Sequence, residues 1–334
     1  MLRALLGSST EVLRAVLNMA VIASLVGASM LIENLTGRNI FAVFGGVHEY
    51  TVIRDGRLRC QGAFSHPIMA GSFGAGLAPI LGMIAMGRKH QRVLACVGLV
   101  SCFLIVATSA SSGPVLALLT GIVGCALFVV RDQMRPIRYG VTAVLIVLHL
   151  IREQPVWHLI GRASDLIGGT GYHRVRLISA FIENWRDWFW VGTRSTAGWG
   201  WGLQDLTNQF VYDGVQGGIL ALLSLIAILS LAFQCVGRTV QRAARARHLS
   251  ATHRLGLQML AWGLGVSLAT HCVSWISVSY FGQMTLIFHA LLAFIVAVHQ
   301  TPELIPGPVR KPDGAAPVDA ASTPPGATQE PELR

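Results

Sequence analysis

Eight apolar runs, each close to the length of a membrane span, constrain this chain more than anything else in it. They lie at 14–31, 68–87, 93–109, 114–130, 137–151, 214–236, 255–275 and 280–299, near the roughly 20 residues an α-helix needs to cross a bilayer. In lipid every backbone N–H and C=O must be bonded internally, so such runs predict helices and exclude open sheets. The fifth run is short, and the third and fourth are joined by the tight stretch Ser109-Ala110-Ser111-Ser112-Gly113. Composition agrees: 53% of the 334 residues are hydrophobic and 13% charged, where a soluble domain carries about 25% charged. The expected fold class is an all-α polytopic membrane protein of about eight transmembrane helices.

The formal charge of +10 belongs to no soluble basic module, which argues against a nucleic-acid partner. It is distributed by topology instead. Arg88, Lys89 and Arg92 fill one short loop; Arg131, Arg135 and Arg138 outweigh Asp132 in the next; Arg238, Arg242, Arg245, Arg247 and Arg254 have no acid among them. The positive-inside rule makes these three loops cytoplasmic. Parity then places both termini in the cytoplasm and the loops 32–67 and 152–213 outside, where ten arginines face nine acids. The first run follows Arg3 and Arg14 as a signal peptide would, but it is long and the topology does not need it removed, so it reads as a retained anchor. Residues 1–299 form the expected transmembrane domain. The segment 300–334, rich in Pro, Ala and Gly, reads as a disordered cytoplasmic tail with too little apolar surface to fold.

Five of the six cysteines sit within apolar runs, where a thiol behaves as a small hydrophobe, and Cys60 lies alone in a polar loop. Their spacing suggests neither a disulfide framework nor a metal site.

Polar chemistry concentrates in the two outer loops. The first ends in Arg54-Asp55-Gly56-Arg57-Leu58-Arg59, then Gln61-Gly62-Ala63-Phe64-Ser65-His66-Pro67. Ser65 suits an N-cap and Pro67 a first helical turn. A helix N-terminus beside three arginines suits a phosphate or pyrophosphate. The same arginines equally suit lipid headgroups or pairing with Glu49 and Asp55. His66 taken alone reads first as a structural or interfacial histidine.

The second loop holds Trp157, Trp185, Trp188, Trp190, Trp199 and Trp201, six of the eight tryptophans. Tryptophan anchors membrane interfaces, and the same ring face stacks on sugars. On a helical wheel over 174–190, Val175, Leu177, Ile178, Phe181, Ile182, Trp185, Trp188 and Phe189 gather opposite Arg176, Ser179, Glu183, Arg186 and Asp187. This predicts an amphipathic interfacial helix. Arg174 falls on the apolar side: either the helix begins after it, or its guanidinium points into the protein and seeks an anion. The loop closes through Asp205, Thr207 and Asn208 into Asp213 and Gly217-Gly218. Polar groups there are costly unless they are buried in protein or face an aqueous cavity, which marks a candidate site; a capped return to the membrane is the simpler alternative.

At these stretches the chain resembles the O-antigen ligase and O-antigen polymerase superfamily, polytopic membrane glycosyltransferases. Three blocks over about residues 50–235 carry the resemblance: Arg59 before Gly62-Ala63-Phe64-Ser65-His66-Pro67, Arg174 opening the loop helix, and Asn208 with the following Gly217-Gly218. The resemblance implies transfer of a glycan from a polyprenyl pyrophosphate to an acceptor sugar at the outer face of the bacterial inner membrane, in exopolysaccharide or O-antigen synthesis. It implies no metal and no cofactor. Arg59 and Arg174 match the pyrophosphate-binding arginines, with Arg57 and Arg176 as helpers and Asp205 with Asn208 at the acceptor. The chain departs from the ligases in two ways: Thr207 stands where they carry a basic His, and relatives have further spans before the first block. The departures favour a shortened, polymerase-like member and keep a non-catalytic scaffold or transporter of a polysaccharide assembly as the alternative. The expected partners are the lipid-linked glycan, membrane lipids and other assembly proteins.

Overall fold

A computed structural model of the chain describes residues 7–87, 89–159, 161 and 171–304. It is mostly helical. In chain order the elements are α1 (Ser9–Thr36), β1 (Val52–Arg54), β2 (Arg57–Arg59), α2 (Pro67–Gly87), α3 (Arg92–Thr108), α4 (Ser112–Ala126), α5 (Met134–Ile151), α6 (Gly171–Glu183), α7 (Trp185–Trp188), α8 (Gln209–Arg245), α9 (Ala251–Trp275) and α10 (Gln283–His299). The two short strands form an antiparallel hairpin with Val52 opposite Arg59 and Arg54 opposite Arg57, a small exception to the expected all-helical fold.

Six helical stretches among the described residues are long and apolar enough to cross a membrane: Ser9–Thr36, Pro67–Gly87, Lys89–Thr108, Ser112–Ile151, Gln209–Arg245 and Gln283–Leu304. Six rather than the expected eight meet that measure, for two reasons. The fourth and fifth runs lie on one helical stretch, continued through a 3-10 segment at Leu127–Gln133 and bent at Val130. The seventh run is the helix α9, whose Gln258, Ser267, Thr270, His271 and Ser274 lower its hydropathy. Those polar groups are buried and several are bonded inside the bundle: the Ser267 hydroxyl donates to the Gly76 carbonyl at 2.6 Å, and His271 Nδ1 meets the Tyr280 hydroxyl at 2.7 Å. Internal bonding is what allows such groups in an apolar setting.

The core sits on α2 and α9, which pack on each other and on α3, α4 and α8. Small residues set the closest approaches, as expected where helices associate by packing rather than by exclusion of water. A Cβ on Gly74 would lie 2.8 Å from the Cys102 carbonyl oxygen, and one on Gly98 would lie 2.6 Å from Ala20 Cβ. By contrast, α5 has no buried residue, and α8 exposes Leu220, Leu223 and Leu231. An apolar surface this extensive suits lipid.

The expected tail boundary at 300 moves. Thr301 and Leu304 are buried, and Leu304 joins a small cluster with Ala243, Ala246 and Leu257. Glu303 accepts from the Ser9 hydroxyl at 3.1 Å and meets His253 Nε2 at 2.8 Å. These contacts tie 301–304 to the ends of α1, α8 and α9. The rest of the expected disordered tail lies outside the described residues.

Candidate functional site

One end of the bundle gathers the loops that follow α1, the turn between α3 and α4, the N-terminal ends of α6, α8 and α10, and the turn after α9. The first component is a buried carboxylate. Glu33 lies in the last turn of α1, where a negative charge opposes the helix dipole, so its own helix gives no reason for it. Its reason is tertiary. Glu33 is 1% exposed and accepts from the backbone N–H groups of Gly62 at 2.8 Å and Gln61 at 3.2 Å and from the Thr51 hydroxyl at 3.1 Å. Asn39 Nδ2 donates to the Gly62 carbonyl at 2.8 Å, and Cys60 N–H donates to the Thr108 carbonyl at 3.0 Å. Gly62 is left-handed at φ +55°, a conformation that glycine adopts without steric cost. The strand bearing Arg59 is thereby pinned where it meets the bundle. Cys60 beside it is fully buried. Burial, with the Glu33 charge adding, pushes its thiol up to about 12, so it is a packing group and not a nucleophile.

Arg59 is 9% exposed and its Nη2 donates to the Ser111 hydroxyl at 2.8 Å. Its Nε is buried without a hydrogen-bond partner, and among the described residues no carboxylate lies within ion-pair distance of it. Burial, then the Arg54 charge, lowers its pKa, with Asp55 opposing; a guanidinium stays charged regardless. Arg174, 7% exposed, reaches the neighbouring serine: its Nη2 donates to the Ser112 hydroxyl at 3.3 Å. The helix α6 begins before Arg174, at Gly171, so the inward-pointing alternative is the one realised.

Both arginines therefore converge on the turn between α3 and α4. Ala110 there holds φ +45°, a left-handed conformation that costs a non-glycine residue about 1–2 kcal/mol. Ser111 is the N-cap of α4, yet its side chain makes no cap bond to the helix. Its hydroxyl donates back to the Ser109 carbonyl at 3.0 Å and accepts from Arg59. The first amides of α4, Ser112 and Gly113, belong to the set that a helix cannot bond itself, and they carry its positive dipole end. Along the sequence 109–113 reads only as a turn, and the serine pair ahead of Pro114 is the signal it carries.

His66, not Ser65, is the N-cap of α2. Its Nδ1 accepts from the Ile68 N–H at 3.2 Å, while Ser65 is exposed. An accepting Nδ1 places the neutral ring's proton on Nε2. Burial lowers the His66 pKa, the Arg59 charge lowers it further, and the Asp205 charge opposes both. These couplings bring Arg59, His66 and Asp205 into one neighbourhood. The Asp205 carboxylate is exposed. Thr207 has a buried hydroxyl oxygen without a partner.

Asn208 has a different job from the one expected. Its Oδ1 caps α8, accepting from the N–H groups of Phe210 at 3.0 Å and Val211 at 3.2 Å, so that oxygen is committed to backbone. Gln209 next to it accepts from the Tyr280 N–H at 2.7 Å and donates to Asp213 at 3.0 Å, which ties the start of α8 to the turn before α10. The helix breaks again at Gly218, φ +69°, where the Ile219 N–H donates to the Phe189 carbonyl at 2.7 Å. Arg57 and Arg176 stand apart. Arg57 is exposed at the hairpin turn. Arg176 lies over the Tyr172 ring, 5.6 Å from its centroid, and against Gly200.

The expected amphipathic helix is two pieces, α6 and α7, because Asn184 leaves the helical conformation at φ −95° and ψ 33°. Its tryptophans divide accordingly. Trp188 is buried, stacks on Phe181 at 3.9 Å between centroids and donates to the Phe181 carbonyl; Trp190 and Trp201 are 75% and 92% exposed. Comparison with known protein families and with curated proteins finds no match to this chain.

Proposed function

We propose that the chain is a glycosyltransferase that joins polyprenyl-pyrophosphate-linked glycan units in bacterial exopolysaccharide or O-antigen synthesis, with the loop end of the bundle facing out of the inner membrane and both termini in the cytoplasm. The observation that carries this reading is the convergence of two buried arginines on adjacent serines at the open N-terminus of α4. Arg59, buried with its Nη2 on a neutral hydroxyl and its Nε without a hydrogen-bond partner, is a costly charge, and an anion is what would repay it. A pyrophosphate supplies oxygens for both guanidinium groups and the first amides of α4.

In the transfer, the bond from the sugar's anomeric carbon to the pyrophosphate oxygen breaks while an acceptor hydroxyl oxygen bonds to that carbon. Charge grows on the leaving pyrophosphate, where Arg59 and Arg174 act electrostatically. His66, its Nδ1 occupied by the helix cap, serves as a neutral Nε2–H donor to a phosphate oxygen. The acceptor's proton goes to Asp205, the free carboxylate beside His66; Thr207 takes no proton at neutral pH. Asn208 supports the site by holding the end of α8.

The test uses the purified protein in liposomes with a polyprenyl-pyrophosphate-linked glycan, reading chain extension on a gel. Arg59→Ala and Arg174→Ala are each expected to lower turnover by about 100-fold or more while leaving the protein in the membrane. Undiminished turnover in both variants sinks the arginine assignment. Wild-type protein that binds other assembly proteins yet extends no glycan decides for the scaffold.

A further inference from the structure

At the end of the bundle away from the candidate site, α4 and α8 each pack on α9 rather than on one another. Gly124 of α4 faces Val266 of α9, and Gly265 of α9 faces Val236 of α8. The space left between α4 and α8, floored by α9, is a groove of about 930 Å³, at the upper end of the range for pockets that hold small molecules.

The groove is graded in polarity. Leu119, Val123, Phe233 and Val240 line its length, and Arg131, Arg135, Arg138 and Arg245 stand at one end with Asp132 as the only acid among the described residues that line it. Arg131 is already engaged, donating to Gln258 Oε1 at 3.1 Å and lying 4.5 Å from the Phe128 ring centroid. Arg135, Arg138 and Arg245 are exposed, and none of them makes an ion pair with a described residue. From Phe233 at its apolar end to Arg245 at its charged end, the groove follows α8 over a rise of about 18 Å at 1.5 Å per residue. Half of the roughly 30 Å hydrocarbon core of a bilayer is close to that length.

From this juxtaposition we infer that the groove is a binding site for one anionic phospholipid of the leaflet on the arginine side. The headgroup phosphate lies among Arg135, Arg138 and Arg245, and the acyl chains lie along the groove between α4 and α8. Charge complementarity selects the anionic headgroup, as basic pockets between membrane helices do elsewhere. The graded lining selects a whole lipid over a free phosphate. The inference is independent of the glycosyltransferase reading.

The experiment measures thermal unfolding of the full-length protein in a neutral detergent with added phosphatidylglycerol, phosphatidylcholine or glycerol phosphate. A ligand that binds the folded state alone raises Tm in proportion to its occupancy. Phosphatidylglycerol is expected to raise Tm by several degrees and the other two not to. The combined Arg135→Gln, Arg138→Gln and Arg245→Gln variant removes the headgroup contacts. Gly237→Phe obstructs the chains: Gly237 lines the groove, and a Cβ there meets nothing within 4 Å, so the fold admits the side chain. Both variants are expected to keep the Tm measured without lipid and to lose the phosphatidylglycerol shift. Three results each overturn the inference: a shift that survives the arginine variant, a shift that survives Gly237→Phe, and a shift produced equally by glycerol phosphate.

Discussion

Arginine crowds both ends of this helix bundle and is held in opposite ways. At the end away from the loops Arg135, Arg138 and Arg245 are exposed, where a guanidinium keeps its water and costs the fold almost nothing. At the loop end Arg59 and Arg174 are 9% and 7% exposed, and each donates to a serine hydroxyl. For Arg59, whose Nε has no hydrogen-bond partner, that burial is a standing cost to stability. The same residue type is therefore solvated at one end and buried in the bundle at the other, and the supports around it tell the two apart. Exposed arginines need none. Arg59 has a pinned strand, a left-handed glycine and a buried carboxylate arranged around it.

The sharpest way to break that contrast is to remove the supports. Glu33→Gln leaves an amide NH₂ facing backbone N–H donors in place of one carboxylate oxygen. Hydrogen bonds to a charged group contribute about 1.5–3 kcal/mol each, so a loss of about 3 kcal/mol is expected. It should appear as a lowered Tm, together with loss of whatever the Arg59 site binds. An unchanged Tm would show that the pinning of 60–62 does not depend on Glu33. Gly62→Ala comes next. It forces a Cβ into φ +55° and brings it to 3.0 Å from Met30 Cγ, a cost of about 1–2 kcal/mol. Gly237→Phe at the other end has no such penalty, and the two variants measured side by side calibrate the difference between the ends.

The smallest effect concerns pH. The folded His66 lies below its ordinary 6.5 because of burial, then the Arg59 charge. The unfolded chain therefore binds the extra proton more readily, and stability falls as pH drops from above 6.5 toward the lowered folded value. Asparagine also caps helices well, so His66→Asn is expected to keep the fold and flatten that part of the Tm-against-pH curve between about pH 7.5 and 5. A slope unchanged by the substitution would assign the pH dependence to another group.

Much of this was legible along the chain, because hydropathy is a local property. The apolar runs gave the helices and set the loops apart. Arg174 stood out by its place on the apolar side of a wheel, and its side chain is indeed turned inward. Other features were misread for physical reasons. Arg57 and Arg59 share one face of a strand by alternation, yet only Arg59 is buried, since β2 meets the bundle at its Arg59 end. Asn208 looked like a group for a substrate; its oxygen is used by the helix that follows. Ser65 and His66 both precede Pro67, and geometry gave the cap to the imidazole. Polar residues lower the hydropathy of α9, and partners elsewhere in the bundle accommodate several of them, Ser267 at Gly76, His271 at Tyr280 and Gln258 at Arg131, which no window along the sequence can see.

The sequence by itself determined that the chain is a helical protein with apolar stretches suited to a membrane, that its cationic residues divide between loops, and that chemistry, if any, falls in the long ones. Only the tertiary structure decided that Ser111 and Ser112, four dozen or more residues from either arginine, receive Arg59 and Arg174 together. It also decided that Glu33 belongs to the loop holding Gly62 and not to its own helix. The physical reason is range. Burial in lipid acts on each residue where it stands, whereas a hydrogen bond to a buried charge needs two distant segments to arrive at one place, and their separation along the chain leaves no periodic trace.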